Sequence, residues 1–253
     1  MSQSVLVTGG ADSVGRVIAE RFVARGDRVH VCDVRADVLA EMLKANPLVS
    51  GTVANVGDPE AVERVFTEAS AKIGDVTVLV NNVGIGGPRV AIEDISYADW
   101  AESLRVNVGG MFYCMKLAIP GMKRAGGGTI INFSTGSTRT RLPFRTPYVV
   151  SKFGVEGLTL NAARELGPFN IRCNAILPGM INNARMQRII AASAAERGVP
   201  PEEIEAGYLK YISMGTKIEP DELADMTLFL ASERARKVTG ELISVSGNIE
   251  WEI

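Results

Sequence analysis

The sequence predicts a doubly wound α/β fold, in which helices cover both faces of a parallel β-sheet. Two observations support this prediction. Short β-branched runs that are apolar on both faces recur along the chain, and a longer helical pattern separates each run from the next. With 253 residues, 46% of them hydrophobic, the chain can bury one substantial core. Residues 1–253 are therefore expected to form a single domain.

The predicted elements follow one another in a regular order. Strands are expected at residues 4–8, 28–32, 49–54, 76–80, 129–133, 171–176 and 242–245. Helices are expected at residues 13–25, 36–45, 97–124, 147–166 and 222–231. A further helix opens at Asp58, because Pro59 suits a first helical turn. Right-handed crossovers between the strands would place ligands at the carboxyl ends of the strands.

The segment from about residue 180 to residue 214 departs from this alternation. It has a helical pattern but contains Pro200 and Pro201, and methionines stand at both of its ends. We interpret it as a small helical lid over the ligand crevice. A plain helical hairpin on the surface is the alternative.

Composition argues against several classes of function. A net charge of -2 and a pI near 5.7 disfavour nucleic-acid binding and a basic membrane-surface patch, and no apolar run is long enough to span a bilayer. Cys32, Cys114 and Cys173 lie far apart, so neither a metal site nor a disulfide is expected. The lone histidine, His30, is interpreted as a packing residue. Because the first strand already begins at Ser4, we expect a cytoplasmic protein without a leader segment.

A glycine-rich turn follows the first predicted strand. Gly9 and Gly15 let the backbone approach a pyrophosphate, and the following helix, starting at Ser13 and Val14, presents N–H donors to it. Any tight turn between a strand and a helix can use glycine. The position after the first strand is what favours a dinucleotide.

Asp33 ends the second predicted strand. A carboxylate there can accept hydrogen bonds from the ribose hydroxyls of NAD and would repel the 2′-phosphate of NADP. Alternatively, Asp33 caps the next helix, and Arg16 and Arg35 could tolerate a phosphate. The sequence favours NAD, with NADP as the weaker candidate. After the fourth strand, Asn82 and Gly84 could line the adenine and its ribose.

Tyr148 and Lys152 are four residues apart and therefore share one face of a predicted helix. Free tyrosine has a pKa of about 10, and a neighbouring ammonium group stabilises the phenolate and lowers that pKa. Such a tyrosine can take the proton of an alcohol as hydride leaves the carbon, or return it during reduction. A tyrosine and a lysine at this spacing are common by chance, so the surrounding motifs decide the interpretation.

The ordered set of motifs resembles the classical short-chain dehydrogenase/reductase family over nearly the whole chain. The matching features are the glycine turn from Thr8, Asp33, the Asn-Asn-x-Gly segment at Asn81, Asn107, Tyr148 with Lys152, and Pro178-Gly179. The resemblance implies a seven-stranded Rossmann sheet, ordered hydride transfer, and a homotetramer or homodimer.

The resemblance also implies roles for single residues. Tyr148 would be the acid/base, Lys152 would bind the nicotinamide ribose, and Asn107 would hold a water in the proton relay. Thr135 stands where the family has a substrate-orienting serine, and it keeps the hydroxyl donor. Ser134 is a possible substitute, although strand alternation should point it the other way, and Ser137 is a third choice.

Several cofactor positions depart from the family pattern. Ser13 replaces a glycine beside the pyrophosphate, and Asn55 replaces an acidic residue that would meet the adenine together with Val56. Asn183 replaces a threonine after Pro178-Gly179. By resemblance, its amide or the backbone of Ile181 would bind the nicotinamide carboxamide.

The substrate is less well specified by the sequence. The loop before Tyr148 carries Arg139, Arg141 and Arg145, and an arginine that points inward would favour a carboxylate, sulfonate or phosphate. A solvated loop is the alternative. The lid would add further substrate contacts through Arg185, Met180 and Met186.

We therefore expect an NAD(H)-dependent oxidoreductase that interconverts a secondary alcohol and its ketone, with a polyol, sugar or hydroxy acid as substrate. An NADPH-dependent 3-oxoacyl-type ketoreductase and a non-catalytic nucleotide-binding regulatory protein are the alternatives. The shorter tyrosine-to-lysine spacing disfavours the enoyl-reductase variant of the fold. Trp251 is expected to pack against a neighbouring subunit.

Overall fold

The computed structural model describes residues 2–249. Trp251, predicted to lie at a subunit contact, is outside these residues. Within them, seven strands form one parallel sheet in the order β3-β2-β1-β4-β5-β6-β7. The strands are β1 (Ser4–Thr8), β2 (Arg28–Asp33), β3 (Val49–Val53), β4 (Val78–Asn81), β5 (Gly128–Phe133), β6 (Ile171–Pro178) and β7 (Leu242–Val245). The predicted single-domain Rossmann-type sheet is confirmed.

Helices connect the strands. They are α1 (Ser13–Ala24), α2 (Ala36–Ala45), α3 (Pro59–Ile73), α4 (Tyr97–Leu104), α5 (Gly110–Arg124), α6 (Ser137–Thr140), α7 (Thr146–Leu166), α8 (Ala184–Arg197), α9 (Pro201–Leu209) and α10 (Pro220–Leu230). Short 3₁₀ turns lie at Ile92–Asp94, Gly167–Phe169 and Glu233–Ala235.

Several boundaries differ from the sequence prediction, and two of the differences have a clear structural basis. The fourth strand begins at Val78 rather than at residue 76, because Val76 is buried among the residues of α3 and α5 before pairing with β1 starts. The single helix predicted over residues 97–124 is divided by a π-helical turn at Arg105–Gly109. That turn holds Asn107, and π-turns often mark functional sites.

The sheet is buried on both faces, as its strand pattern predicted. Val5 and Val7 of β1 pack in the cluster formed with α1, α2 and α10, whereas Leu6 packs with α3, α5 and α7. Strand alternation therefore divides one core into two layers. None of the described helices is long and apolar enough to cross a membrane.

The position of the site follows from the strand order. From β1 the chain first builds β2 and β3 on one side and then crosses to β4 on the other. This reversal opens a crevice at the carboxyl ends of β1 and β4, where doubly wound sheets bind ligands. Helices α8 and α9 form a third apolar cluster around Met180 and Ile190, beside this crevice.

Candidate active site

A cavity of about 600 Å³ lies at the carboxyl ends of the strands. It brings together most of the residues predicted for the site: Gly9, Ser13, Val14, Asp33, Asn55, Val56, Asn82, Gly84, Thr135, Arg145, Tyr148, Lys152, Pro178, Gly179, Met180, Ile181, Asn183, Arg185 and Met186. Three predicted residues, Gly15, Asn107 and Arg141, lie outside the lining.

The glycine turn is held by close backbone contacts. Gly9 has a φ of 62°, and a Cβ on Gly15 would lie 2.1 Å from the Gly9 carbonyl oxygen, so no side chain fits there. Asn82 Nδ2 donates hydrogen bonds to the carbonyl oxygens of Thr8 and Gly9, both at 3.1 Å. The amide of Asn82, which follows β4, thus holds the turn in place. Gly15 lies outside the cavity lining and contributes by allowing the close contact with Gly9.

Ser13 occupies the first residue of α1 with a φ of 49°, in the left-handed region. Glycine adopts this conformation without penalty, which explains why the family pattern has glycine here. The Ser13 hydroxyl accepts a hydrogen bond of 3.1 Å from Asn183 Nδ2. Asn183 also caps α8, because its Oδ1 accepts from the backbone N–H of Met186 at 2.9 Å.

Asp33 stands at the tip of β2 and is buried. Its carboxylate accepts from the backbone N–H groups of Ala11 at 3.4 Å and Arg35 at 3.1 Å. Arg35 pairs with both Asp33 and Asp12, at 3.5 and 3.2 Å. Arg16, the other arginine considered for a 2′-phosphate, is paired with Glu20 at 2.8 Å.

Lys152 is a buried residue of the cavity lining. Its Nζ donates to the carbonyl oxygen of Phe133 at 2.7 Å, and burial, followed by the charge of Arg185, lowers the pKa of Lys152 to about 7. A Cβ on Gly84 would lie 3.0 Å from this Nζ. Because glycine has no side chain, it does not block the path between the Lys152 ammonium group and the cavity.

Asn107 is fully buried behind the cavity, in the π-turn. Its Oδ1 accepts from the Ile85 N–H at 2.8 Å, and its Nδ2 donates to the Ile85 carbonyl at 3.0 Å and to Ser151 Oγ at 2.9 Å. The side chain therefore joins the loop after β4 to α7, the helix of Tyr148. Its predicted part in a water relay stays a prediction.

Two neighbouring hydroxyl groups after β5 have different partners, although both residues line the cavity. Thr135 Oγ1 lies 3.2 Å from both the Oγ and the backbone nitrogen of Ser137. Ser134 Oγ donates instead to the buried carboxylate of Glu156 at 2.8 Å. The Ser134 hydroxyl is therefore engaged by a buried carboxylate, and the Thr135 hydroxyl is not.

The arginines of the loop before α7 differ in their exposure to solvent. Arg141 and Phe144 both have positive φ values, 51° and 59°, and both are exposed. Arg145 is 9% exposed and its guanidinium lies over the Tyr148 ring, 4.6 Å from the centroid. Arg141, which the sequence predicted as a substrate residue, is thus not brought into the cavity lining.

Sequence reasoning missed other residues that line the cavity, chiefly Arg89, Arg188 and Tyr208. Arg188 follows Arg185 by one helical turn on α8, so helical spacing could have indicated it. Arg89 lies in an irregular loop with no periodic signal. Tyr208 belongs to α9, where a single aromatic residue is more typical of packing.

A dinucleotide fits these groups. Glycine at positions 9 and 15 keeps the turn free of side chains, and Asp33 places a carboxylate at one end of the cavity. Tyr148 and Lys152 face the other end. This fold and site define a nicotinamide-nucleotide-dependent oxidoreductase of the Rossmann type.

Comparison with known proteins agrees with this class. A family model described as enoyl-(acyl carrier protein) reductase matches residues 9–248, and the chain belongs to the short-chain dehydrogenase/reductase family. The chain is 35% identical to a probable galactose dehydrogenase of Rhizobium meliloti, over 98% of this chain and 94% of the relative. It is 32% identical to a 3-oxoacyl-[acyl-carrier-protein] reductase of Staphylococcus aureus, over 98% of both. The solved aldohexose dehydrogenase of Thermoplasma acidophilum superposes with a TM-score of 0.88 at 30% identity, over 100% of this chain and 95% of that one.

Proposed function

We propose that this oxidoreductase uses NAD(H) to interconvert a secondary alcohol of the polyol, sugar or hydroxy acid class and its ketone. The observation that supports this most directly is the placement of Tyr148 and buried Lys152 in the same cavity as Thr135 and Asp33. The names of the sugar dehydrogenases among its relatives favour the same substrate class.

Each of these residues has its own role in the oxidation of the alcohol. Thr135 orients the substrate hydroxyl, and Tyr148 takes its proton as the carbonyl forms. Lys152 supplies the positive charge that stabilises the tyrosinate, and it holds the ribose of the cofactor. When bound, the nicotinamide supplies the acceptor for the hydride that leaves the carbinol carbon. Asn107 positions Tyr148 by tying α7 to the loop at Ile85.

The nucleotide end supports NAD over NADP. A 2′-phosphate would meet the Asp33 carboxylate, and Arg16 and Arg35, the arginines considered for a phosphate, are already paired with carboxylates. Pro178, Gly179, Ile181 and Asn183 would enclose the nicotinamide, with Asn55 and Val56 at the adenine. The alternative, an NADPH-dependent 3-oxoacyl-type ketoreductase, draws support from the relative of Staphylococcus aureus.

One assay tests the proposal and separates the alternatives. Initial rates of NADH or NADPH absorbance change are measured over a panel of alcohols, sugars, hydroxy acids and 3-ketoesters. Turnover of a hydroxylated substrate with NAD is expected. A preference for NADPH and a 3-ketoester would support the ketoreductase. Binding of NAD with no turnover of any compound would support a non-catalytic nucleotide-binding protein.

We also propose that residues 180–214, with α8 and α9, form the substrate lid, and that the protein is a homotetramer or homodimer. Phe112 of α5 and Val150, Phe153 and Leu160 of α7 are between 40% and 48% exposed, an apolar surface that a second copy could cover. Light scattering that gives a monomer at working concentration would overturn the oligomer.

A further inference from the structure

Four arginines besides Arg35 line the cavity: Arg89, Arg145, Arg185 and Arg188. Arg145 lies over the Tyr148 ring, and Arg89 and Arg185 are close enough for their charges to act on it. Among residues 2–249, none of the four forms an ion pair. The other guanidinium that lines the cavity, Arg35, is paired with carboxylates at the nucleotide end.

The carboxylates along the described lining do not balance this charge. Asp12 and Asp33 belong to the nucleotide end and bind Arg35. Glu102 holds Arg105 through two hydrogen bonds of 2.7 and 2.8 Å. The end of the cavity beside Tyr148 is therefore positively charged, although the whole chain carries a net charge of -2.

Arg145 has the least favourable surroundings of the four. It is 9% exposed, its terminal nitrogen donates to the Gly86 carbonyl at 3.3 Å, and its Nε has no partner among the described residues. Burial lowers the pKa of Arg145, against the favourable effect of Tyr148, and the charges of Arg89 and Arg185 lower it further. A buried guanidinium without a carboxylate is costly, and an anionic ligand would remove that cost.

Arg185 approaches the same place from the lid. One of its terminal nitrogens donates to the Gly84 carbonyl at 3.3 Å. A Cβ built on Gly86 would lie 3.1 Å from the other terminal nitrogen of Arg185 and 3.4 Å from that of Arg145. The two guanidinium groups thus converge over Gly86, one from α8 and one from the start of α7.

We propose that the substrate carries an oxyanion, a carboxylate, phosphate or sulfonate, which Arg145 and Arg185 bind together beside Tyr148. This rests on the proposed function and narrows its substrate class to hydroxy acids, sugar acids or sugar phosphates. Because Arg145 stacks on the catalytic ring itself, the anionic group lies only a few bonds from the carbinol carbon. Guanidinium groups suit such oxyanions through paired charge-assisted hydrogen bonds.

Matched pairs of neutral and anionic compounds test the proposal. We suggest glycerol against glycerate, galactose against galacturonate, and glucitol against glucitol 6-phosphate, each assayed with NAD. The kcat/KM of at least one anionic member should exceed that of its neutral partner by about 100-fold or more. The galactose pair tests a preference for a carboxylate, and the glucitol pair tests a preference for a phosphate. A preference for every neutral partner would overturn the proposal while leaving the dehydrogenase function intact.

Amino-acid substitutions test whether Arg145 and Arg185 bind the anionic group. Arg145→Met and Arg185→Met should each raise the KM for the preferred anion by about 10- to 100-fold, and Arg145→Lys should restore part of the loss. Arg141→Met, which removes an exposed arginine from the same loop, is the matched control and should leave KM unchanged. Arg185 is exposed, so its variant is not expected to disturb folding. Equal losses on neutral and anionic substrates, with a shifted pH profile, would mean that Arg145 acts only through Tyr148.

A binding experiment works without turnover. Malonate and inorganic phosphate are titrated into the NADH complex, with quenching of NADH fluorescence as the signal. Binding that is lost in Arg145→Met, with the affinity for NADH unchanged, supports the proposal even if no compound of the panel is oxidised. Absence of anion binding, or an equal loss of NADH affinity, would overturn it.

Discussion

The hydroxyl of Ser13 accepts a hydrogen bond of 3.1 Å from Asn183 Nδ2 across 170 positions of sequence. Both residues depart from the pattern of the family that the chain resembles, and the structure shows that they contact each other. Ser13 lies in the glycine turn, and Asn183 begins α8 of the proposed lid. The two changes therefore form one connection between the nucleotide turn and the lid.

This pair predicts that Ser13→Ala and Ser13→Gly have different effects. Alanine keeps the left-handed backbone but loses the hydrogen bond, and should lower the free energy of unfolding by about 1 kcal/mol. Glycine loses the same bond but relieves a backbone penalty of about 1 kcal/mol, so its stability should stay near that of the wild type. Urea unfolding followed by circular dichroism measures both. With Asn183→Ala added, the effect of Ser13→Ala should shrink, and strict additivity would refute the pairing.

Tyr148→Phe should abolish most turnover. The substitution removes the group that exchanges the proton and keeps the ring, so kcat should fall by about 100-fold or more. The affinity for NADH, measured by fluorescence titration, should change little. Tyr113→Phe removes a hydroxyl from α5, outside the cavity, and serves as the control. Substantial activity of Tyr148→Phe would exclude the proposed acid/base role.

Asp33→Asn should widen cofactor use. The amide keeps the shape of the side chain but removes the charge that a 2′-phosphate would meet, so kcat/KM with NADP should rise by about 10-fold or more. Asp37→Asn removes an exposed charge from the first turn of α2 and controls for net charge. Steady-state rates with both cofactors measure the effect. An unchanged ratio of the two kcat/KM values would show that Asp33 does not select the nucleotide.

His30 predicts a pH dependence of stability. Burial lowers the pKa of His30 to about 4, and the ring lies between Ser50 and Thr52 at 2.8 and 3.0 Å. The unfolded chain, with a histidine pKa near 6.5, binds the proton more readily, so the free energy of unfolding should fall as pH drops from about 6.5 to about 4. The loss is on the order of 3 kcal/mol. Urea titrations at several pH values measure this effect. The free energy of unfolding should change less with pH in His30→Gln than in the wild type. An equal change with pH in both proteins would mean that His30 is not the group responsible.

The helices and strands could be predicted because each has its own pattern of residues within a short stretch of sequence. Strands apolar on both faces, helices between them and the spacing of Tyr148 and Lys152 are short-range patterns, and the family resemblance gave the seven-stranded sheet. The π-turn at Arg105–Gly109 was missed, because one extra residue within a helical run leaves its apolar pattern nearly unchanged.

The substrate end could not be predicted as well. Which arginine of the loop points inward depends on the left-handed backbone at Arg141 and Phe144, a conformation that non-glycine residues rarely adopt. The convergence of Arg145 and Arg185 depends on how the lid packs. Residues that meet only in the tertiary structure give no periodic signal in the sequence.

The hydrogen bonds from Asn82 to the carbonyl oxygens of Thr8 and Gly9 also constrain the order of folding. They join positions 73 and 74 residues apart, so the glycine turn cannot reach its final form when only its own residues have been synthesised. These bonds require β4 to lie beside β1, a non-local contact that in general forms more slowly than a neighbouring helix. A nascent chain that stops before Asn82 would hold every glycine of the turn but not the residue that clamps it. Nucleotide binding would thus report that the two halves of the sheet have joined.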